Sequence, residues 1–565
     1  MYGQTLVKTL AAFTATTTPI LASNLVWYTE PGSNKPAFTD GGKVRGVNLG
    51  NWFILENWME PSLFGTSGLP GTDNDTQVMD EWSFCSILGK TRCAEVLEEH
   101  WATWITEDDF KRMADYGLNT VRIPIPYWVY NVTEDEPYIT QKQIPYIQQA
   151  LNWSSLYGMD VMMDLHALPG SQSSYQVHTG HYTQESFHTD SANIDRALDA
   201  LGKFVDEFTK DKYEGVVKAQ VLHYCWELVN EPWIEAYQAD NIPWDFLADF
   251  MDRAYTTVRE HENVIAGNTV SMVVVHDAFQ ALDNWKYWFT ESKGAQWVNY
   301  GIDTHLYHAW SPNANLDNYG HVVAACGTAN MLAAAQEWIP TFVGEQALGV
   351  GTFCVNYKEC FNLTSQDLMA NVSAGSSDAD YNNFYRALWE SQYHAYNHGA
   401  GFIFWNWKAI SPVWSYEQSV TQRWIPMDLN DTLWVYDSSQ EFCLQNYNWS
   451  NVPSYPTTAV APIPSGTSLP TGKALAVNAT SSAASTTIAV STGPGIAIPT
   501  GMTTVSLSGV NSTSSMGSSH AGTSATSSVS ATASSTSTSG AGAVARVSSH
   551  ALAMVVCLGL FSVLQ

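Results

Sequence analysis

The chain has 565 residues and a formal net charge of −29 at pH 7, from 54 acidic and 25 basic residues. This balance argues against a nucleic-acid partner, because phosphate backbones are bound by basic faces. Aromatic residues make up 13% of the chain, and up to about Pro453 the sequence is rich enough in apolar residues to bury a large core. Composition therefore predicts one large acidic domain followed by a tail of a different kind.

Both ends of the chain carry sorting signals. Residues 1–22 contain Lys8, a mostly apolar stretch and a small-residue step at Ala22, which predicts a signal peptide. Residues 541–565 combine small residues and a polar spacer with an apolar end, 551–565, that is short for a bilayer span, which predicts a GPI-attachment signal. We expect a secreted protein at the cell surface or cell wall that contacts the membrane only through a GPI anchor.

Residues 454–540 consist mainly of Ser, Thr, Ala, Gly and Pro. Such a segment cannot bury enough apolar surface to offset its ordering entropy, so we expect a disordered, O-glycosylated stalk. N-glycosylation sequons agree with an exterior glycoprotein and occur at Asn74, Asn131, Asn152, Asn362, Asn371, Asn430 and Asn448.

In residues 23–453, eight short apolar segments are mostly separated by helical stretches, the pattern of a parallel barrel. The predicted strands are 44–50, 120–126, 160–166, 221–230, 269–276, 300–307, 340–345 and 401–407. The predicted surface helices are 107–116, 144–157, 194–208, 244–259 and 381–397. Polar and aromatic residues gather at the downstream strand ends, where a TIM barrel carries its active site. The sequence therefore predicts an α/β fold, a (β/α)8 TIM barrel with a disordered C-terminal stalk.

The cysteines fit an oxidising destination. Cys557 lies in the predicted GPI-attachment signal, and spacing alone does not fix how the other cysteines pair. The expected disulfides are Cys85–Cys93, Cys354–Cys360 and Cys326–Cys443, which leave Cys225 free beside a predicted strand.

Two glutamates at predicted strand ends suit the cleavage of glycosidic bonds. Glu231 follows Leu-Val-Asn and precedes Pro-Trp at the end of the fourth strand, and Glu345 follows Phe-Val-Gly at the end of the seventh. These strands lie across the barrel mouth from one another, so both carboxyl groups can face one sugar ring. Glycosidases work with such a pair. Either motif alone is weak, but together they predict a glycoside hydrolase.

Further stretches extend the pattern over most of the chain, in one order from about Lys43 to Cys443. They include Arg45–Gly50, Pro61–Phe64, Val121–Pro124, Asp164–His166, Pro169–Gln172, Asn230–Trp233, Gly344-Glu345 and Phe404-Trp405. In these stretches the chain resembles the fungal exo-1,3-β-glucanases of glycoside hydrolase family 5, in the cellulase-like clan. The resemblance implies successive release of glucose from non-reducing ends of 1,3-β-glucan through a covalent glycosyl-enzyme. It makes Glu231 the acid/base and Glu345 the nucleophile.

The same resemblance implies substrate-binding residues. Arg122 and Tyr307 would orient the nucleophile and favour its ionised form. His166, Asn230 and His305 would bind sugar hydroxyls, with Asn230 on the 2-hydroxyl.

Four further residues would shape the pocket by the same resemblance. Glu56 would hold the far side of the terminal sugar, and Trp405 would form the pocket floor under its C–H face. Tyr175 and Trp310 stand where the family has two phenylalanines that clamp the next sugar.

The chain departs from the family at Gln346, at Gln176 and at 409–411. Linkage and chain-end preference therefore stay open. The alternatives are a related endo-1,6-β-glucanase, another β-glucosidase or a transglycosylase, and, of a different class, a wall mannoprotein that binds glucan without cutting it. We expect a monomer with no cofactor and no metal, since no ligand cluster or phosphate-binding loop stands out.

Overall fold

A computed structural model describes residues 42–66, 78, 80–208, 224–234, 242–262, 271–310, 313, 316, 318–350 and 378–429. The predicted signal peptide, stalk and GPI-attachment signal lie outside these residues. Within them, no helix is long and apolar enough to cross a membrane.

Eight parallel strands close into a barrel in which each strand pairs with its neighbours in chain order and β8 pairs with β1. The strands are β1 Val44–Asn48, β2 Thr120–Pro126, β3 Asp160–Ala167, β4 Tyr224–Glu227, β5 Met272–His276, β6 Tyr300–His305, β7 Thr341–Gln346 and β8 Gly401–Phe404. Every residue of β2 and β3 is buried, as expected for parallel strands with helices outside and a filled interior. The predicted TIM barrel is confirmed.

Helices cover the outside of the barrel. They are α1 Pro61–Thr66, α2 Glu81–Thr103, α3 Glu107–Asp115, α4 Ile144–Tyr157, α5 Ser191–Phe208, α6 Trp244–His261, α7 Leu282–Glu291, α8 Asn318–Gln336, α9 Asp378–Tyr396 and α10 Tyr416–Thr421. Short 3-10 turns lie at Tyr127–Val129, Val177–Thr179, Phe187–Thr189, Lys293–Gln296 and Pro412–Trp414.

Local sequence explains several of these elements. Helix α5 buries residues such as Ile194, Leu201 and Phe204 along one stripe, the spacing of an amphipathic helix. Helix α4 ends at Gly158, whose left-handed backbone suits glycine. Helix α2 is kinked at Gly89, where φ is 73°.

The fourth strand differs from its prediction. In the described residues β4 ends at Glu227, whereas the sequence placed its end at residue 230. The next residues leave the regular ladder but still bond to both neighbours, since the Leu228 N–H donates to Val274 and the Asn230 N–H donates to Leu165.

The structure confirms part of the cysteine prediction. Cys85 and Cys93 form a disulfide within α2, and Cys225 is a buried free thiol on β4. Cys326 is disulfide-bonded, but its predicted partner Cys443 lies outside the described residues, as does the predicted pair Cys354–Cys360.

Candidate active site

Glu231 lies just beyond β4, in the loop that leaves the barrel. Its φ is 43°, a left-handed conformation that costs a non-glycine residue about 1–3 kcal/mol and persists where the surroundings fix it. One such contact is visible, because the Ser173 hydroxyl donates to the Glu231 carbonyl. The backbone here aims a nearly buried carboxyl group, 4% exposed, at the barrel mouth.

Glu345 lies on β7, one residue before the strand ends. One of its carboxylate oxygens accepts a hydrogen bond from Arg122 Nη1 at 2.8 Å, and the other accepts one from the Tyr307 hydroxyl at 2.7 Å. Hydrogen bonds to a carboxylate stabilise its ionised form. Both donors that the sequence assigned to this carboxyl group are therefore in place.

His305 brings the two glutamates together. Its Nδ1 lies 2.7 Å from an oxygen of Glu231 and 3.4 Å from an oxygen of Glu345, while its Nε2 lies 3.5 Å from Asp303. The histidine that the sequence proposed as a sugar ligand thus also bridges the two carboxyl groups.

Arg122 is completely buried in the barrel interior and binds several polar partners at once. Besides Glu345 it donates to Glu227 at 2.6 Å, to Asn48 at 2.9 Å and to Asn230 at 2.8 Å. The fixed planar fork of a guanidinium suits this arrangement. Arg122 therefore sets the position of Glu345 and Asn230 together.

Burial and mutual repulsion control the ionisation of the two glutamates. Burial raises the pKa of Glu345 to about 8, and the charge of Glu231 adds to this effect while His305 and Arg122 oppose it. Burial also acts to raise the pKa of Glu231, but the hydrogen bond and charge of His305 outweigh it and lower that pKa to about 2. Neighbouring carboxylates, Glu345 first, raise the pKa of His305 against the effect of burial, so the two glutamates and the histidine titrate as one coupled system.

The wall of the pocket contains an aromatic stack. The rings of Trp405 and His166 lie 5.6 Å apart with an interplanar angle of 9°. Gly50 packs against this indole so closely that a Cβ there would lie 2.9 Å from the ring.

Glu56 is buried and accepts a hydrogen bond from Trp58 at 2.9 Å, and burial raises its pKa to about 8.

The two residues predicted at the pocket entrance lie in different surroundings. Tyr175 is 46% exposed and contacts Tyr182. Trp310 packs edge-on against Tyr307 at 4.9 Å and also contacts Trp414. Trp310 is thereby held against Tyr307, whereas nearly half of Tyr175 is exposed and can contact a ligand.

Several residues of this network were not among the predicted site residues. Asp164, Glu227 and Asp303 lie beneath the site, and Asp164 is 3.0 Å from Arg122. Asp164 and Asp303 precede His166 and His305 by two residues, so strand periodicity could have placed them on the same face. No comparable signal points to His178, which lies 3.8 Å from Glu231 in a loop after β3.

Two groups of side chains come close enough to hold a metal ion. They are Glu231 with His276 and His305, and Glu227 with Asp303 and His305. Both groups share His305, whose nitrogens already face carboxylates, and Glu231 and Glu227 already accept hydrogen bonds. We therefore describe these residues as parts of the hydrogen-bond network.

A closed parallel barrel with two buried carboxyl groups at its fourth and seventh strand ends is the arrangement of a glycoside hydrolase. Comparison with known proteins agrees, since residues 89–409 match the family described as Cellulase (glycosyl hydrolase family 5). The chain belongs to glycosyl hydrolase family 5 and is an enzyme that acts on O-glycosyl bonds. The non-enzymatic wall mannoprotein considered from the sequence is therefore not retained.

Curated relatives are similar over most of their own length. The chain is 32% identical to a Glucan 1,3-beta-glucosidase of Kluyveromyces lactis over 406 residues, which cover 69% of this chain and 90% of the relative. It is 31% identical to Glucan 1,3-beta-glucosidase 1 of Schizosaccharomyces pombe, with 67% and 87% covered. The rutinosidase structure from Aspergillus niger shares the fold, with a TM-score of 0.52, 18% identity, and 68% and 98% covered.

Proposed function

We propose that this enzyme hydrolyses β-glucan with retention of configuration and releases glucose from the non-reducing ends of 1,3-β-glucan. The names of the curated relatives support the substrate. The position of His305 supports the proposed retaining mechanism, because one nitrogen of this histidine contacts the carboxyl groups of both Glu231 and Glu345.

The spacing of these groups favours retention. One nitrogen lies 2.7 Å from an oxygen of Glu231 and 3.4 Å from an oxygen of Glu345, so these two oxygens are close neighbours. Such close oxygens favour the spacing of about 5–5.5 Å between carboxyl groups in retaining enzymes over the roughly 6.5–9.5 Å that inverting enzymes need to fit a water. There is room for a sugar carbon to bond directly to one carboxylate.

In the first step, a Glu345 oxygen attacks the anomeric carbon while the protonated Glu231 carboxyl gives its proton to the glycosidic oxygen. The bond between the anomeric carbon and that oxygen breaks, the shortened glucan leaves as an alcohol, and a glucosyl ester of Glu345 remains. The pKa values of the site without sugar favour the opposite arrangement, with the proton on Glu345 and the charge on Glu231, so the proton has to pass to Glu231 before this step.

In the second step, Glu231 takes a proton from a water molecule, whose oxygen attacks the same carbon and breaks the ester. Two inversions give β-glucose, and Glu231 regains its proton while Glu345 returns to the carboxylate. Arg122 and Tyr307 stabilise the Glu345 charge as it reappears. A sugar hydroxyl in place of water would give transglycosylation.

The remaining site residues would bind the terminal glucose. Arg122 holds the Asn230 amide oxygen, and no described residue accepts a hydrogen bond from the amide nitrogen, which is thus available for the 2-hydroxyl. Trp405 supplies the floor, and Glu56 with Trp58 closes the far side, which fits a pocket for a chain end. We further propose secretion, a GPI anchor and a cell-wall role, from the end segments of the sequence.

A product time course tests substrate and mode of action. The full chain should release glucose from laminarin, a 1,3-β-glucan, without intermediate oligosaccharides, and should act far less on pustulan, a 1,6-β-glucan. Glu345→Gln is the matched inactive control. Early oligosaccharides from pustulan would instead favour the endo-1,6-β-glucanase, and long transfer products would favour the transglycosylase.

A further inference from the structure

A surface groove with a volume of about 870 Å³ lies between α6 and α7, apart from the catalytic pocket. Its lining combines aromatic rings with short polar side chains. The lining residues that matter here are Trp244, Asp245, Asp283, Asn284 and Tyr287.

The groove lies beside the loops that follow β4 and β5, and the first of these loops carries Glu231. It includes Ile234, three residues after Glu231 in the same loop, and Gln280, which follows β5. Helices α6 and α7 begin where the loops after β4 and β5 end, and these loops belong to the catalytic face of a TIM barrel. Because Glu231 is proposed to protonate the leaving oxygen, sugars beyond the cut lie on this side.

The aromatic residues of the groove offer surfaces for sugar rings. Tyr287 is 67% exposed on α7, so its ring is accessible to a ligand. Trp244 is half-buried, and its ring is held edge-on against Trp285 at 4.8 Å. The faces of such rings pack against the C–H faces of glucose, and a fixed ring loses little freedom on binding.

The polar residues of the groove are available to a ligand. Asp245, Asp283 and Asn284 are exposed, and their side chains make no hydrogen bond or ion pair with the described residues. The charged members of this set are both acidic, which disfavours phosphates and acidic polymers. Carboxylates and amides accept hydrogen bonds from hydroxyl groups, so a neutral polyhydroxyl chain fits both the rings and the polar atoms.

We propose that this groove binds glucosyl units of the β-glucan beyond the bond that is cut, and so gives the enzyme a preference for long chains. The proposal rests on the proposed hydrolysis of β-glucan. In this proposal the catalytic pocket binds the terminal glucose, and the groove between α6 and α7 binds glucosyl units further along the same chain.

Kinetics on a long and a short substrate test the groove. Tyr287→Ala and Asn284→Ala, made in the full chain, should lower the ratio of kcat/KM on laminarin to kcat/KM on an aryl β-glucoside about fivefold or more, through a higher KM for laminarin. Leu156→Ala is the control, because Leu156 is 54% exposed on α4, and it should leave the ratio unchanged. A smaller amount of folded enzyme lowers both kcat/KM values by the same factor, so the ratio of the two values does not depend on it.

Binding provides a second readout. In native gels that contain laminarin, the wild-type chain should migrate more slowly than in plain gels, and Tyr287→Ala should lose at least half of that retardation. Unchanged ratios and unchanged retardation in both groove variants would overturn the proposal. If the wild-type enzyme cleaves the aryl glucoside but not laminarin, the proposed function fails instead, independently of the groove.

Discussion

Glu231 and Glu345 are both buried at the barrel mouth, but their partners differ. Glu345 receives hydrogen bonds from Arg122 and Tyr307, so its charge is stabilised from two sides. Glu231 contacts His305, which can carry or release a proton. This difference supports the assignment of Glu345 as the nucleophile and Glu231 as the acid/base.

Variants of the two glutamates should therefore fail in different ways. Glu345→Ala should lose hydrolysis about 10³-fold or more, and azide should restore turnover with an inverted glucosyl azide as product, because no covalent step remains. Glu231→Ala should lose about 10²- to 10⁴-fold on laminarin but little glycosylation rate on an aryl glucoside whose leaving group needs no proton. NMR gives the configuration of the azide products, and stopped assays on laminarin and on the aryl glucoside give the two losses of rate.

Glu95→Ala serves as the control, since Glu95 is exposed on α2 and, among the described residues, its side chain pairs with Arg92 alone. Rescue of Glu231→Ala with inversion, or of Glu345→Ala with retention, would reverse the two roles.

The sequence pointed to polar residues that the structure places at the strand ends better than to the residues that support them. His166, His305 and Asn230 follow or end apolar segments, so strand ends revealed them. Asp164 and Glu227 lie deeper in the barrel, and their contacts with Arg122 join strands far apart in sequence. Local patterns carry no information on such pairing.

At the scale of elements, β6 and β7 are joined tightly beneath the catalytic pair. The Gly344 N–H donates to Asp303 at 2.6 Å, and a Cβ on Gly344 would lie 1.8 Å from an oxygen of the same carboxylate. Asp303 in turn faces His305, so a side chain at position 344 that displaced Asp303 would also displace the bridge between the glutamates.

Gly344→Ala should therefore destabilise the fold by about 1–3 kcal/mol, the usual cost of overpacking, and lower kcat as Asp303 and His305 shift. Gly327→Ala is the matched control, because Gly327 is an exposed residue of α8 with open space around its Cβ position. That change should be neutral or stabilising by up to about 1 kcal/mol. Thermal unfolding and steady-state kinetics measure both, and an unchanged Gly344→Ala enzyme would contradict the role given to this contact.

Helices were predicted unevenly, for physical reasons. The boundaries of α4 match the prediction because its apolar residues form a stripe and Gly158 ends it. Helix α2 was not predicted, since the kink at Gly89 interrupts its periodicity. Helix α8 is rich in alanine and apolar on most sides, so it shows no distinct stripe.

For the whole molecule, closure of the barrel is what brings the site together. Glu56 near the first strand and Trp405 after the last contribute to one pocket because β1 pairs with β8. The rule that active sites lie at the carboxyl ends of barrel strands pointed to Trp405, and the family resemblance added Glu56, whereas no local pattern shows how deep each side chain lies. The predicted anchor and stalk lie outside the described residues and stay predictions.

The anomeric configuration of the first product tests the central claim most directly. The full chain should be incubated with laminarin in an NMR tube, and the anomeric proton signals of the released glucose followed before mutarotation equalises them. Retention predicts that β-glucose appears first and α-glucose only later. If α-glucose appears first, Glu345 does not form a covalent intermediate, and the mechanism proposed for this pair of glutamates is wrong.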